Sequence, residues 1–193
     1  TLLATEYGVD VNVRDNDGDT PMHSAAQEGH TNVVTLLAKE HGVDVNVRRN
    51  DGATPMHYAA GKGHTNVVTL LAKEYGVDVN VRDKNGATPM HIAAAKGHTN
   101  VVTLLATEYG VDVNVRDNDG FTPMHFAAQE GHTNVVTLLA KEYGVDVNVR
   151  RNDGSTPMHS AAFNGHTNVV TLLAKEYGVD VNVRDKNGAT PMH

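Results

Sequence analysis

Apolar and polar residues follow three successive rhythms along the chain. In residues 20–29, Met22, Ala25 and Ala26 fall at i, i+3 and i+4, a stripe on one side of a short helix. Thr20 and Pro21 supply its N-cap and first helical residue, and Gly29 suits the left-handed position that ends it. Val33, Val34, Leu36 and Leu37 mark a second helix that ends near Gly42. From Val43 to Arg48 apolar and polar residues alternate, the period of an extended arm. Asn-Asp-Gly or Lys-Asn-Gly then predicts a tight turn. One unit is therefore helix, turn, helix and projecting β-turn finger.

The unit recurs. Thr-Pro-Met-His begins at Thr20, Thr54, Thr88, Thr122, Thr156 and Thr190, each 34 residues after the last. A fixed period of this length is the signature of a solenoid, in which each unit touches only its neighbours. One unit has too few Val, Leu and Met side chains to offset the backbone entropy of ordering it, whereas stacking buries both of its faces. The whole chain, 1–193, reads as one array. It comprises a partial repeat at 1–15, repeats at about 16–49, 50–83, 84–117, 118–151 and 152–185, and a partial repeat at 186–193.

The run TPMHxAAxxGH, then VVxLLA, then GVDVN resembles the ankyrin repeat over the entire chain. The resemblance implies an all-α solenoid of stacked helix-turn-helix repeats with projecting β-turn fingers. Three departures stand out. Met replaces Leu in the TPLH element, a volume-conserving change. Val follows Gly42 and its equivalents where the family has Ala. The period is 34 rather than 33, with the extra residue around Lys39 to His41 lengthening the second helix.

Residues 1–91 match 103–193 at a shift of 102 except at seven positions. These are Asp19/Phe121, Ser24/Phe126, His41/Tyr143, Ala53/Ser155, Tyr58/Ser160, Gly61/Phe163 and Lys62/Asn164. Six of the seven fall at four places in the unit, where chance would put about one. Those places are the residue after the turn Gly, the residue after TPMH, and the two before Gly-His. Ser24, Gln27 and Glu28 share one helix stripe, offset from that of Met22, Ala25 and Ala26. In ankyrin arrays the corresponding face and finger line a concave groove that grips partner proteins. The resemblance therefore implies a groove of Asp19, Ser24, Gln27 and Glu28; Ala53, Tyr58, Gly61 and Lys62; Ala87, Ile92, Ala95 and Lys96; Phe121, Phe126, Gln129 and Glu130; and Ser155, Ser160, Phe163 and Asn164. All three Phe of the protein, with Tyr58 and Ile92, occupy these variable places, and aromatic anchors are enriched at interface hot spots. A partner centred on the Phe cluster, with Ile92 at its edge, is the expectation. The competing expectation is that some rings pack against neighbouring units.

Composition narrows the chemistry. The net charge of −7 counts against nucleic-acid binding and anionic membranes, and the apolar runs are too short to span a bilayer. With no Cys, the chain suits a reducing compartment, so an intracellular site, in the cell's own cytoplasm or delivered into a host's, is expected. Eleven of the twelve histidines are repeat fixtures in TPMH or Gly-His; His41 is a surface variation. His23 and its equivalents are expected to bond near the first helix start and tie adjacent fingers together. No metal site is expected, since a helix-ending Gly separates His23 from His30 and no Cys or HExxH accompanies them. No cofactor is expected either. Each Thr, His, Asp or Arg has copies one unit away, and Ser155 and Ser160 near His159 lack a third orienting group, so no catalysis is expected. Asn46, Asn80, Asn114 and Asn148 match a family Asn that usually bonds turn backbone and is hydroxylated in some arrays; structural bonding is expected here. Arg14, Arg48, Arg82 and their equivalents read as a solvated face.

The expected function is a non-enzymatic binding module for a protein partner. The alternative is a structural spacer or elastic spring, which needs no variation on the groove side. The chain begins inside a second helix at Thr1 and stops at His193 as a first helix begins. Apolar end layers should then be exposed, as in a portion of a longer array; end-to-end stacking between molecules is the alternative.

Overall fold

A computed structural model describes residues 10–192. The expected second-helix segment at Thr1 and the last residue, His193, lie outside the described residues. Among the described residues, ten helices alternate in pairs: α1 (Pro21–Gln27) and α2 (Thr31–His41), α3 (Pro55–Gly61) and α4 (Thr65–Tyr75), α5 (Pro89–Ala95) and α6 (Thr99–Glu108), α7 (Pro123–Gln129) and α8 (Thr133–Lys141), α9 (Pro157–Phe163) and α10 (Thr167–Tyr177). There is no strand among the described residues. This is the all-α solenoid of stacked helix pairs that the periodicity predicts.

Each first helix starts as its sequence requires. Thr20, Thr54, Thr88, Thr122 and Thr156 are extended N-cap residues followed by Pro at the first helical position. The histidine three residues on reaches back: Nδ1 of His91 accepts the Thr88 backbone N–H at 3.1 Å and lies 3.0 Å from Thr88 Oγ1. In the capping box the reaching residue is usually Glu or Gln. Here a neutral imidazole does the same work.

Met22, Met56, Met90, Met124 and Met158 are fully buried, as are the paired alanines of α3, α5 and α7. Because those alanines are small, first helices approach one another more closely than second helices do, which places the first-helix layer on the inner side of the stack. Val34, Leu37 and Val43, with their equivalents, fill the space between layers.

The arm from Val43 to Arg48 keeps its alternation, with Val45 and Val47 half-buried and Asp44, Asn46 and Arg48 outward. It is not straight: a turn at Val45 and Asn46 bends it, closed by Val47 N–H to the Asp44 carbonyl at 3.2 Å. The Asp44 carboxylate accepts the Asn46 N–H at 2.8 Å. Thus Asn46 enters the turn through its backbone, and Asp44 supplies the side-chain bond.

Fingers are linked from one unit to the next. Asn50 N–H donates to the Asp17 carbonyl at 3.0 Å, Lys84 N–H to Asp51 at 2.9 Å and Asn118 N–H to Asn85 at 3.0 Å. Arg82 Nη1 donates both to Gly86 O in its own finger and to Arg116 O in the next, each at 2.8 Å. Arg14, Arg48, Arg116 and Arg150 repeat this pattern. These side chains are exposed, as expected of a solvated face, and they also bridge finger backbones.

Two glycines separate conformational cost from contact cost. Gly97 and Gly110 both have positive φ, 76° and 62°. A Cβ on Gly110 would meet nothing within 4 Å, whereas one on Gly97 would lie 2.7 Å from His132 Nδ1. That imidazole donates Nε2–H to the Ala95 carbonyl at 3.0 Å. Gly110→Ala should cost about 1 kcal/mol for the left-handed backbone alone, and Gly97→Ala about 2–3 kcal/mol because the ring must also move. Urea unfolding followed by circular dichroism checks the pair; equal losses would show that the histidine contact contributes nothing.

Candidate functional site

The variable positions form rows across the inner face, one residue per unit in each row. Ser24, Glu28, Lys62, Lys96, Glu130, Phe163 and Asn164 are exposed. Asp19, Gln27, Ala53, Tyr58, Gly61, Ile92, Ala95, Phe121, Phe126 and Gln129 are half-buried. Ala87, Ser155 and Ser160 are buried, so these three do not present a groove surface as expected. Ser155 and Ser160 instead line the wall of a recess of about 870 Å³ that also reaches Phe163 and Met192.

Copies 102 residues apart build different chemistry on one frame. Toward the N-terminus, Arg49 lies 3.7 Å from both Asp19 and Asp51 and 3.8 Å from Asp17. It also donates to the Tyr58 hydroxyl, which in turn donates to Asp19 Oδ2 at 3.1 Å. The Tyr58 ring meets the His23 edge at 5.5 Å. Burial, followed by the Asp19 carboxylate, pushes the Tyr58 hydroxyl up to about 12. The cluster is not fully satisfied: Asp19 Oδ1 and Arg49 Nε are buried without a hydrogen-bond partner.

In the later copy Phe121 stands where Asp19 was and Ser160 where Tyr58 was. Arg151, the counterpart of Arg49, lies 4.4 Å over the Phe121 ring and 2.6 Å from Asp153. Burial alone would raise the Asp153 carboxyl, but hydrogen bonds from Arg151 and the Ser155 N–H more than offset this and hold it at about 2. Phe121 and Phe126 pack together at 5.4 Å and also meet His125 at 5.9 Å and His91 at 5.4 Å, respectively. The competing expectation therefore holds for Phe126, which packs on His91 of the preceding unit, whereas the Phe121 ring packs within its own unit; both keep part of their surface outward.

Phe163 stands apart from that pair. It is 92% exposed, but at its equivalent place a Cβ on Gly61 would meet Ile92 of the following unit at 2.8 Å. In the Gly61 copy that place faces along the stack toward the next first helix. The three Phe are not one cluster; Phe121 and Phe126 form the aromatic patch of the inner face.

The histidines are structural on both ring nitrogens. Nδ1 of His23, His57, His91 and His125 accepts from the N-cap Thr N–H, and Nε2 donates to a carbonyl of the next finger: Ala53, Ala87, Phe121 and Ser155 in turn. This is the tie between fingers that the sequence predicts. A second ladder, which the sequence reading lacks, runs the other way: His64, His98 and His132 donate backward to the carbonyls of Gln27, Gly61 and Ala95, at 2.9–3.0 Å. Its signal is the invariant Gly-His pair, since the Gly leaves room for the ring. Among the described residues, no helix is long and apolar enough to cross a membrane.

A family model described as ankyrin repeats (3 copies) matches residues 1–83 and 73–151, and a second, ankyrin repeats (many copies), matches residues 138–193. The comparison with curated proteins finds no match.

Proposed function

The chain belongs to the ankyrin-repeat family, whose repeats are generally protein-interaction modules, and from that premise we propose that it binds a partner protein through its inner face without catalysing a reaction. One observation carries the reading. The copies keep the His and Arg side chains of every ladder and differ almost only on the inner face, where Asp19–Arg49–Tyr58 gives way to Phe121–Arg151–Phe126. A frame that holds position while its inner surface changes chemistry is what recognition requires; a spacer has no need of it.

Capture from cell lysate tests this with three proteins: the native array, Phe121→Ala/Phe126→Ala, and His41→Tyr. The last is the one copy-to-copy difference outside the four variable places, so it serves as the control. A partner held by the native array and by His41→Tyr should bind the double alanine variant about 30-fold more weakly or worse, since an aromatic anchor contributes about 2 kcal/mol or more. Circular dichroism confirms equal folding. Equal retention by all three would overturn the inner-face reading and leave the spacer role.

A further inference from the structure

Across α3, α5 and α7 the inner face carries one large side chain per unit: Tyr58, Ile92 and Phe126, all half-buried. The places between them hold Gly61 and Ala95, and Ile92 leans onto Gly61. The result is a shallow apolar strip running across three units. On its helix-end rim, Lys62 and Lys96 are exposed C-cap residues of α3 and α5. The same cap position holds Glu28 after α1 and Glu130 after α7. The rim therefore reads minus, plus, plus, minus.

Helix energetics does not explain that order. A cation at a helix C-terminus is favourable and an anion is not, so the dipole would put Lys at all four caps. Nor do the lysines serve internal pairs: among the described residues the ion pairs belong to Arg49 and Arg151. In a chain of net charge −7, Lys62 and Lys96 set two positive charges side by side along the apolar strip.

We infer that the segment docked across α3, α5 and α7 is an acidic, apolar stretch of a partner protein, with carboxylates against Lys62 and Lys96 and apolar side chains over Ile92 and Phe126. This rests on the inner face being the docking face. Neighbouring helices pack about 10 Å apart. That spacing matches carboxylates about two turns apart on a helix, or about three residues apart on an extended strand. Glu28 and Glu130 set the register, because sliding by one unit would place a carboxylate against a carboxylate.

A displayed library of random 12-residue peptides, selected on the native array, is the probe. Selected peptides should carry at least two carboxylates around apolar residues. Their affinity should fall about tenfold or more on Lys62→Glu/Lys96→Glu and recover when the peptide acids are changed to lysine. It should also fall on Ile92→Ser/Phe126→Ser, with circular dichroism showing each variant folded. Peptides that need Ile92 and Phe126 but bind the Glu variant equally well would overturn the acidic inference and leave inner-face docking standing. Peptides that need the lysines but not the apolar pair would also overturn it. If no selected peptide depends on either pair, both readings fail. A dimer in sedimentation that Ile92→Ser/Phe126→Ser dissolves would make a second copy the occupant, and would likewise overturn it.

Discussion

Lowering the pH from 7.5 to 4.5 should destabilise the array by several kcal/mol while Asp153, held at about 2, stays ionised. The cause is the cap histidine of the first four units. Burial holds His23, His57, His91 and His125 below the ordinary imidazole value of 6.5, His125 at about 4. For His125 the nearby Arg151 and Arg116 disfavour the imidazolium further. The geometry agrees, since a proton on Nδ1 would face the Thr N–H that this nitrogen now accepts.

The sign follows from linkage. Above pH 6.5 the imidazole is neutral in both folded and unfolded chains, and the stability is complete. As the pH falls, the unfolded chain takes up a proton that the folded one refuses, so stability declines from about 6.5 down to the folded value and then levels off. For His125 a drop from 6.5 to about 4 corresponds to about 3 kcal/mol in all. Asp153, held at about 2, loses its own contribution only below this window. Urea midpoints at pH 7.5, 6.0 and 4.5 measure the effect. Identical midpoints would mean that the imidazoles titrate alike in both states, against the caps described here.

The second large effect belongs to the central methionine. Met90 is fully buried, so truncating its side chain would leave a cavity in the core. Met90→Ala should cost about 2–5 kcal/mol, and Met90→Leu, which conserves volume, less than about 1.5 kcal/mol. Position adds to the loss. In a stack where each unit touches only its neighbours, a weakened central unit uncouples the halves. The alanine variant should therefore unfold with a broader or two-step urea transition, whereas Met90→Leu keeps a single one. A sharp transition in Met90→Ala with a shift under 1 kcal/mol would contradict this packing.

Local structure was legible because its causes are local. Thr-Pro starts each first helix, Gly ends the second, and apolar spacing picks out the buried Met and Ala whatever surrounds them. The tie from the TPMH histidine to the next finger was also predictable, since a polar ring at a buried helix start needs partners. Less legible were side chains whose partners lie a whole unit away. Arg82 reads as a surface charge until Arg116 O is brought beside it, and His98 reads as a fixture until it meets Gly61 O.

Sequence by itself determined the unit, its period, the all-α solenoid and the rows of variable residues, because each depends on propensity and spacing within a few turns. It could not say that Ser155 and Ser160 are buried, that Phe163 is exposed apart from the other two Phe, or that Phe121 and Phe126 pair. Those outcomes depend on the offset between adjacent units. The tertiary structure alone decided that offset, through the close approach of alanine-lined first helices and the ladders that hold one finger against the next.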